Sequence, residues 1–320
     1  MTRYVARRLL QAIPTVFGIL VLTFALTRLS PADPIAIMFA NHPEVSQEAR
    51  AVVRQAYGLD DPIPIQFVKW AGRVATLDLG TSFVYHRPVL DLILERLPNS
   101  LQLSLAGLVV AVVIGVPLGL VAALYRGRLP DHAIRILSVV LNSVPEFFLG
   151  LVLILVLAIQ LHWIPAGSMN VVGEYCTFCW DRLWHLLAPV TLAAAGGIAA
   201  LPRFVRTEVL EVLGQDYVRT ARGKGLRERS IMLRHVLRNA LIPVVTIFGG
   251  ILAILVSGSV IIEVVFNWPG LGRLIFDAAN SKDYPIVQAG VLMASVLLVL
   301  SYILRDLAYA WVDPRIAFDR

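Results

Sequence analysis

The sequence predicts an all-α polytopic membrane protein with six transmembrane helices. Of its 320 residues, 58% are apolar and 16% are charged, whereas a soluble domain has roughly 45–50% apolar and about 25% charged residues. Six stretches carry no charge and are each long enough for a helix that crosses the membrane, which needs about 20 residues. The stretches are continuous and do not alternate with polar residues as barrel strands do. They are residues 9–27, 97–125, 147–173, 183–202, 239–262 and 284–304. This composition excludes an ordinary soluble enzyme, a disordered chain and a disulfide scaffold.

The distribution of positive charge predicts that both termini are cytoplasmic. Lys and Arg are enriched in cytoplasmic loops, and with an inside N-terminus most of the 28 Lys and Arg residues fall on that side. Arg7-Arg8 before the first apolar run is typical of a secretory signal peptide, but no small-x-small cleavage site follows. We therefore interpret residues 9–29 as a retained first span.

A polar segment, residues 30–98, follows the first span and is too long for a simple connector. Ser46 is placed to cap a helix with apolar residues at helical spacing, and Gly58 is placed to end it. Pro62 and Pro64 predict that an extended stretch follows. We expect this segment to have structure of its own outside the membrane.

The second span is predicted at residues 99–124 and is rich in small residues. Its Gly115-x-x-x-Gly119 pattern allows a second helix backbone to approach closely. Packing against another helix of the same chain is the simplest explanation. A short basic turn leads to the third span.

The third span, at residues 134–160, contains Pro145-Glu146. A carboxylate at mid-membrane costs roughly 2.5–3.5 kcal/mol, so it should face the helix bundle or a wet cavity. Glu146, with Asn142 nearby, is therefore a candidate for the translocation pathway. The alternative is a helix that begins later and leaves Glu146 at the membrane interface.

The last three spans are predicted at residues 185–205, 240–262 and 286–310. Glu263 directly follows the fifth span. It either caps the outer end of that span or lines an outer gate, and Asn267 is the neighbouring gate candidate.

The two cysteines, Cys176 and Cys179, lie in the outer loop at residues 161–184. A local disulfide is permitted outside the cytoplasm, and inert thiols are the alternative. Zinc would need two further ligands, and His162 and His185 are the only nearby imidazoles. We predict no metal site.

Nothing in the sequence supports catalysis by this chain. A phosphate-binding loop is absent, since the nearest string, Gly223-Lys224-Gly225, lacks the first glycine and the hydroxyl. We expect no enzyme activity and no cofactor bound by this chain. If transport uses ATP and Mg, partner ATPase subunits bind them.

The cytoplasmic segment at residues 203–240 is too polar to span the membrane, yet its apolar residues are helically spaced. Gly223 and Gly225 can close a short helix in a left-handed turn, and a second helix fits residues 228–241. One interpretation is a solvated basic loop near lipid headgroups. The other is a short helix that docks in a groove of a soluble partner.

This segment resembles the EAA signature of ABC importer permeases, Glu-Ala-Ala-x-x-x-Gly with a later Ile-x-Leu-Pro. Ala221 and Gly225 match, whereas Arg219 departs from the glutamate and residues 235–238 depart from Ile-x-Leu-Pro. Both departures look like those of the dipeptide/oligopeptide/nickel branch, in which Ala-Arg-x-Lys-Gly-Leu and Arg-His-x-Leu-Arg-Asn-Ala are usual.

Four further stretches, spread over nearly the whole chain, are similar to the first (B-type) permease of that branch. They are Arg7-Arg8-Leu9-Leu10 with Pro14 and Asp33-Pro34; Gly58-Leu59-Asp60 with Pro62, Gln66, Trp70 and Asp78-Leu79-Gly80-Thr81-Ser82; Glu263-Val264-Val265-Phe266 with Pro269-Gly270-Leu271-Gly272; and Asp313-Pro314-Arg315.

The resemblance implies a type I ABC importer (MetI-like) permease fold in a bacterial-type inner membrane. It implies a second, C-type permease, two ATP-binding subunits and an extracytoplasmic solute-binding protein as partners in the lipid bilayer, and no nucleic acid. Peptides lead as cargo, with nickel chelates, glutathione and haem as alternatives. The residues implied to couple to the ATPase subunits are Asp216, Tyr217, Arg219, Thr220, Ala221, Arg222, Lys224, Gly225 and Leu226.

The resulting domain organisation has four parts. Residues 1–29 form the N-terminus and first span, 30–98 the outer segment that meets the binding protein, 99–311 a five-helix core, and 312–320 a cytoplasmic tail. The rival from another class is an ion-coupled secondary transporter or channel with Glu146 in its pathway.

Overall fold

A computed structural model describes residues 2–29, 33–39, 45–56, 58–170, 180–237, 239–240 and 260–312. Apart from one isolated bridge between Thr81 and Pro88, the regular structure of these residues is helical. The helices are α1 (Thr2–Leu29), α2 (Pro34–Met38), α3 (Gln47–Ala56), α4 (Ile63–Ala75), α5 (Val89–Leu124), α6 (Leu129–Ser143), α7 (Glu146–Leu153, continued as π-helix over Ile154–Gln160), α8 (Trp180–Leu213), α9 (Asp216–Gly223), α10 (Glu228–Ser230, continued as π-helix over Ile231–Leu237), α11 (Val260–Val265), α12 (Leu271–Asn280) and α13 (Tyr284–Val312).

Within the described residues, three helices are long and apolar enough to cross a membrane. They are α5, α8 and the Tyr284–Ile303 part of α13, and the bent pair α6–α7 can form a fourth span. Helix α1 contains a shorter apolar stretch, Ile13–Ala25. Most of the predicted fifth span lies outside the described residues. The prediction of an all-α chain with several apolar membrane helices is confirmed.

The predicted third span is broken in two. Helices α6 and α7 meet at an angle of 102°, with Val144 extended between them (φ −91°, ψ 129°). Pro145 is the cause, because it lacks an N–H group and disfavours a helical conformation in the residue before it. Glu146 consequently begins a new helix.

Helices α5 and α8 pack closely along one another. A Cβ atom added at Gly115 would lie 2.9 Å from the Leu201 Cβ atom, and one added at Gly119 would lie 2.5 Å from the Val205 Cβ atom. Real Cβ atoms do not approach so closely, so both glycines are required by the contact. Packing of the Gly115-x-x-x-Gly119 pattern within the chain is confirmed.

The outer segment matches one local prediction and contradicts another. Ser46 Oγ accepts a hydrogen bond from the Ala49 amide (3.2 Å) and caps α3 as predicted, and Gly58 adopts the left-handed conformation (φ +64°). The predicted extended stretch at Pro62 and Pro64 is wrong. Pro62 precedes the first residue of α4 and Pro64 lies in its first turn, where a fixed φ and a missing N–H group cost nothing.

Helix α4 lies against α1 through an aromatic cluster. The Phe24 ring centroid is 5.4 Å from that of Phe67 and 5.6 Å from that of Trp70, and Phe17 contacts Phe67 edge-on. The segment at residues 30–98 is thereby attached to the C-terminal half of α1.

Candidate functional site

The predicted cytoplasmic segment, residues 203–240, begins inside α8 and contains the last turns of that helix. Leu213 is the last residue of α8, and Gln215 is extended (φ −74°, ψ 148°), so that α9 starts in a new direction at Asp216. Helix α9 is therefore a separate short helix, as the docking-helix interpretation requires.

One face of α9 is anchored in the helix bundle. Val218 is fully buried and Ala221 is 6% exposed. They belong to one apolar cluster with Val205 and Val209 of α8 and with Ile231 of the following segment. Because α9 packs directly on the spanning helix, a force applied to α9 is transmitted to α8 by contact.

A Schellman motif ends α9 at the predicted glycine. Gly225 has φ +72°, its amide donates to the Arg222 carbonyl (2.9 Å), and the Leu226 amide donates to the Ala221 carbonyl (3.3 Å). This is the hydrogen-bond pattern of a helix closed by a left-handed residue. Gly223 does not share the left-handed conformation and lies within the helix, so only one of the two predicted glycines makes the turn.

The opposite face of α9 is exposed. Eight of the nine predicted coupling residues are exposed, five of them on α9 and three in the turn that ends it, and Ala221 is the exception because it faces the core. The exposed residues are Asp216, Tyr217, Arg219, Thr220, Arg222, Lys224, Gly225 and Leu226. The structure therefore brings the predicted coupling residues together on one accessible surface, which we call the α9 face.

Two contacts connect α9 to the segment that follows. The Arg222 guanidinium donates to the Glu228 carboxylate (2.7 Å), and Asn239 Nδ2 donates to the Tyr217 hydroxyl (3.0 Å). The Arg222 hydrogen bond and charge lower the pKa of Glu228, so this pair stays charged at neutral pH and is lost only as the pH falls through that lowered pKa. The predicted second helix, at residues 228–241, begins at Glu228 but is largely π-helical.

An ion pair that the sequence analysis missed connects α6 and α8. Arg206 donates twice to Asp131, with Nε–Oδ1 at 2.8 Å and Nη2–Oδ2 at 2.9 Å, and the Gly127 amide adds a third hydrogen bond. Asp131 is fully buried. Its only sequence signal is an acidic residue just before the predicted third span, which does not identify a partner 75 residues away.

At the opposite end of the bundle, Glu263 lies at the centre of a buried network. It is fully buried. Its Oε1 atom accepts from Ser100 Oγ of α5 (2.6 Å) and its Oε2 atom accepts from the Arg273 amide (2.8 Å), while Ser100 Oγ accepts from the Leu271 amide (2.8 Å). Glu263 thus accepts a hydrogen bond from the first turn of α12. Most of the predicted fifth span lies outside the described residues, and a role of Glu263 as its cap or at an outer gate stays a prediction.

The two glycines of the Pro-Gly-x-Gly stretch after Glu263 are required by the space around the Glu263 carboxylate. A Cβ atom at Gly270 would lie within 2.5 Å of the Glu263 carboxylate, and one at Gly272 would lie 3.0 Å from its Oε2 atom. Both glycines therefore make room for a carboxylate that is enclosed by the turn. Asn267 is exposed and has φ +53°. It closes α11, since its amide donates to Val264 and the next amide donates to the Glu263 carbonyl.

Helices α5 and α8 are also joined near this end by polar side chains. Arg182 of α8 donates to Gln102 and to Asn99 of α5, and the Trp268 indole donates to the Asn99 carbonyl (3.0 Å). Contacts between residues this far apart in the chain were missed, because no local pattern pairs them.

The predicted pathway residues Glu146 and Asn142 lie on either side of the α6–α7 break. Asn142 is exposed and Glu146 is partly exposed. The structure does not join them to the Glu263 network, and their part in a pathway stays a prediction. The described part of the chain has no group of three metal-ligating side chains, and Cys176 and Cys179 lie outside the described residues.

Comparison with known proteins identifies relatives over nearly the full length. Residues 115–318 match the family described as "Binding-protein-dependent transport system inner membrane component", and residues 1–106 match its N-terminal family. The oligopeptide transport system permease protein AppB of Bacillus subtilis is 40% identical over 99% of this chain and 100% of its own length.

Two more relatives and one solved structure agree with this match. The glutathione transport system permease protein GsiC of Salmonella paratyphi A is 39% identical, over 99% of this chain and 100% of its own. A putative peptide permease protein of Brucella ovis is 38% identical, over 99% of both chains. An inward-facing structure of the MetNI methionine ABC transporter superposes with a TM-score of 0.53 at 18% identity, covering 69% of this chain and 96% of that chain, and shows the fold alone.

Proposed function

The chain belongs to the family of binding-protein-dependent transport system inner membrane components, and from this we propose that it is the permease subunit of an ABC importer that moves peptides inward. Relatives that align over the full length carry oligopeptide, peptide and glutathione transport in their names. Glutathione is itself a small peptide, so these names agree on one class of cargo. The observation that carries the proposal is this full-length similarity together with the anchored, partly exposed helix α9.

The α9 face contacts an ATPase subunit. Val218 and Ala221 hold the helix to the core on one side, while Tyr217, Arg219 and Leu226 remain exposed for a partner. The left-handed turn at Gly225 sets where Leu226 and the residues after it leave the helix. A rigid amphipathic helix in a partner's groove is a known way to join two proteins.

Movement of α9 reaches the bundle through rigid contacts. Helix α8 carries the apolar anchor of α9, packs on α5 without space for a methyl group at Gly119, and is paired with α6 through Arg206 and Asp131. A partner groove that shifts with nucleotide state would therefore tilt α5, α6 and α8 together. Only a contact that differs between the two states can shift the balance between inward-open and outward-open forms.

The Glu263 network joins the helices at the outer end of the bundle, opposite α9. Its hydrogen bonds hold α11 and α12 against the outer part of α5, so outward opening must either move the three elements together or break these bonds. Asn267 positions the turn between α11 and α12. Glu146 and Asn142 contribute polar groups to the pathway at the α6–α7 break.

The remaining partners follow from the family. A second, C-type permease completes the pathway, two ATP-binding subunits hold ATP and Mg, and an extracytoplasmic solute-binding protein meets the outer segment at residues 30–98. In this assignment the chain itself binds no nucleotide and hydrolyses none.

The assembly is tested by purification of the tagged chain from its native membrane in a mild detergent. The expected result is co-purification of a second permease and ATPase subunits, with ATP hydrolysis that a binding protein stimulates. A chain that purifies alone after crosslinking, without ATPase activity, would contradict the proposal and favour the ion-coupled transporter with Glu146.

The coupling role is tested by cysteine crosslinking in a background without Cys176 and Cys179. Arg219→Cys places a thiol on the α9 face, where the side chain is 75% exposed. Tyr125→Cys is the matched control, since Tyr125 is exposed in the turn between α5 and α6. We expect Arg219→Cys to crosslink to an ATPase subunit with a yield that changes when ATP is added, and Tyr125→Cys not to do so. Equal yields from both positions would refute the assignment.

A further inference from the structure

A cavity of ≈ 410 Å³ lies beside α1, away from the α9 face and the Glu263 network. Its walls come from the outer ends of α1 and α13, from the turn after α3 and from α4. Arg28 is in the last turn of α1 and Tyr284 is the first residue of α13, and both line the cavity. The cavity therefore lies at the level where two helices leave the membrane.

The charged residues that line the cavity are mostly cationic. Arg28, Lys69 and Arg73 line it together with one carboxylate, Asp78. Lys69 is paired with Asp61 at 2.6 Å. In the part of the chain that the structure describes, no carboxylate lies within ion-pair distance of Arg28 or Arg73. Two guanidinium groups thus remain to bind an anion, and guanidinium groups match phosphate oxygens well.

The cavity also offers a hydrogen-bond acceptor. Gln66 lines it and is 9% exposed. The Gln66 Nε2 atom donates to the Leu59 and Asp61 carbonyls, whereas its Oε1 atom has no partner among the described residues. Asp78 uses Oδ1 to accept from the Gly80 amide (3.1 Å). The Gln66 Oε1 atom is enclosed by protein atoms and is not open to a ligand, so the acceptor that the cavity offers is the Asp78 carboxylate. A ligand that donates a hydrogen bond to this carboxylate would be favoured.

The surroundings of the cavity are apolar on the membrane side. Phe24 and Trp70 line it. Helix α4 leaves Ile63, Ile65 and Val68 exposed beside the end of a spanning helix, as an amphipathic helix in the membrane interface does. An acyl chain would find apolar contacts next to the cationic residues of the lining.

We propose that this cavity binds one phospholipid whose headgroup joins a phosphate to a hydrogen-bond donor, as in phosphatidylethanolamine. Arg28 and Arg73 bind the phosphate, and Asp78 accepts from the ammonium group. The lipid connects α1 to α4 in addition to their aromatic contacts. This site goes beyond the transport role and does not depend on the identity of the cargo.

The test is a lipid titration of the purified transporter complex, followed by native mass spectrometry. Phosphatidylethanolamine and phosphatidylcholine with the same acyl chains share the phosphate, but the choline nitrogen has no N–H group. We expect at least about fivefold weaker binding of phosphatidylcholine, because it cannot donate the hydrogen bond to Asp78, and such a bond contributes about 1 kcal/mol. Equal binding of the two lipids would overturn the proposal.

Variants test separately the arginines that bind the phosphate and the carboxylate that accepts from the ammonium group. Arg28→Gln and Arg73→Gln should each weaken phosphatidylethanolamine binding about fivefold, because each cation at a membrane surface contributes about 1 kcal/mol. Arg87→Gln is the matched control, since Arg87 belongs to the outer segment but pairs with Glu95 and does not line the cavity. Equal effects of all three variants would indicate unspecific attraction and refute the site.

A further variant keeps the proposal testable if an arginine variant does not assemble. Asp78→Asn retains the oxygen that accepts from Gly80 and removes only the charge, and it should reduce the preference for ethanolamine over choline. An unchanged preference would contradict the role of Asp78 as the acceptor for the ammonium group. Glycerophosphoethanolamine, which has the headgroup without acyl chains, serves as a soluble competitor. Displacement of the lipid by equimolar competitor would show that a soluble phosphodiester, not a lipid, is the ligand.

Discussion

Replacement of Gly225 should uncouple the transporter without unfolding it. A Cβ atom at Gly225 meets nothing within 4 Å, so steric clash with the rest of the chain adds no penalty. The cost comes from φ +72°, which is unfavourable for a residue with a side chain by about 1–2 kcal/mol. If docking requires this turn, Gly225→Ala reduces the population that can dock by roughly five- to thirtyfold.

Valine at the same position should have a larger effect. A β-branched side chain is a genuine outlier at positive φ, so the chain would leave the left-handed region and lose the hydrogen bonds from Gly225 to Arg222 and from Leu226 to Ala221. Leu226 and the following residues would then be displaced from the α9 face. Helix α9 would remain attached, because Val218 is anchored in the core.

The assay is uptake of a labelled peptide into proteoliposomes that contain the assembled complex, with membrane insertion and complex yield measured in parallel. Gly225→Val should abolish uptake at normal insertion. Gly223→Ala is the matched control, since Gly223 lies within the helix and a Cβ atom there also meets open space, and alanine favours a helix. Uptake near the wild-type rate by Gly225→Val would refute the reasoning.

Three further predictions concern the helix packing, the buried ion pair and the Glu263 network. Gly119→Ala should lower the thermal stability of the purified complex by about 1–3 kcal/mol through overpacking. Gly196→Ala is the control, since a Cβ atom there meets open space, and equal melting temperatures of the two variants would contradict the α5–α8 packing. Asp131→Asn should lower the stability of the complex by about 1–3 kcal/mol, because Arg206 loses its charge partner. Arg206→Lys should cause a smaller loss in the same melting experiment, and wild-type melting of both variants would show that the pair is dispensable. Glu263→Gln can no longer accept at both carboxylate oxygens, so it should slow peptide uptake at unchanged insertion, and a full rate would exclude a role in gating.

Features that depend on neighbouring residues were predictable from the sequence. The left-handed turn at Gly225, the Ser46 cap and the close approach at Gly115 and Gly119 follow from the conformational range and size of individual residues. The resemblance added the nine coupling residues, and all of them except Ala221 are exposed. Ala221 is buried because helical periodicity places it on the same side of α9 as Val218.

Features that depend on distant residues were not predictable. The partners Asp131 and Arg206 are 75 residues apart, and Glu263 and Ser100 are 163 apart, so no local pattern connects them. Pro62 was misread because proline is compatible both with an extended chain and with the start of a helix. Packing of α4 on α1 selects the helix.

ATP-dependent peptide uptake tests the central claim most directly. The complex purified through a tag on this chain is reconstituted into proteoliposomes with its binding protein, and labelled peptide is measured inside the vesicles. We predict uptake only when ATP and Mg are present on the ATPase side and the binding protein on the other, independent of any ion gradient. Uptake driven by an ion gradient without ATP, and abolished by Glu146→Gln, would contradict the account.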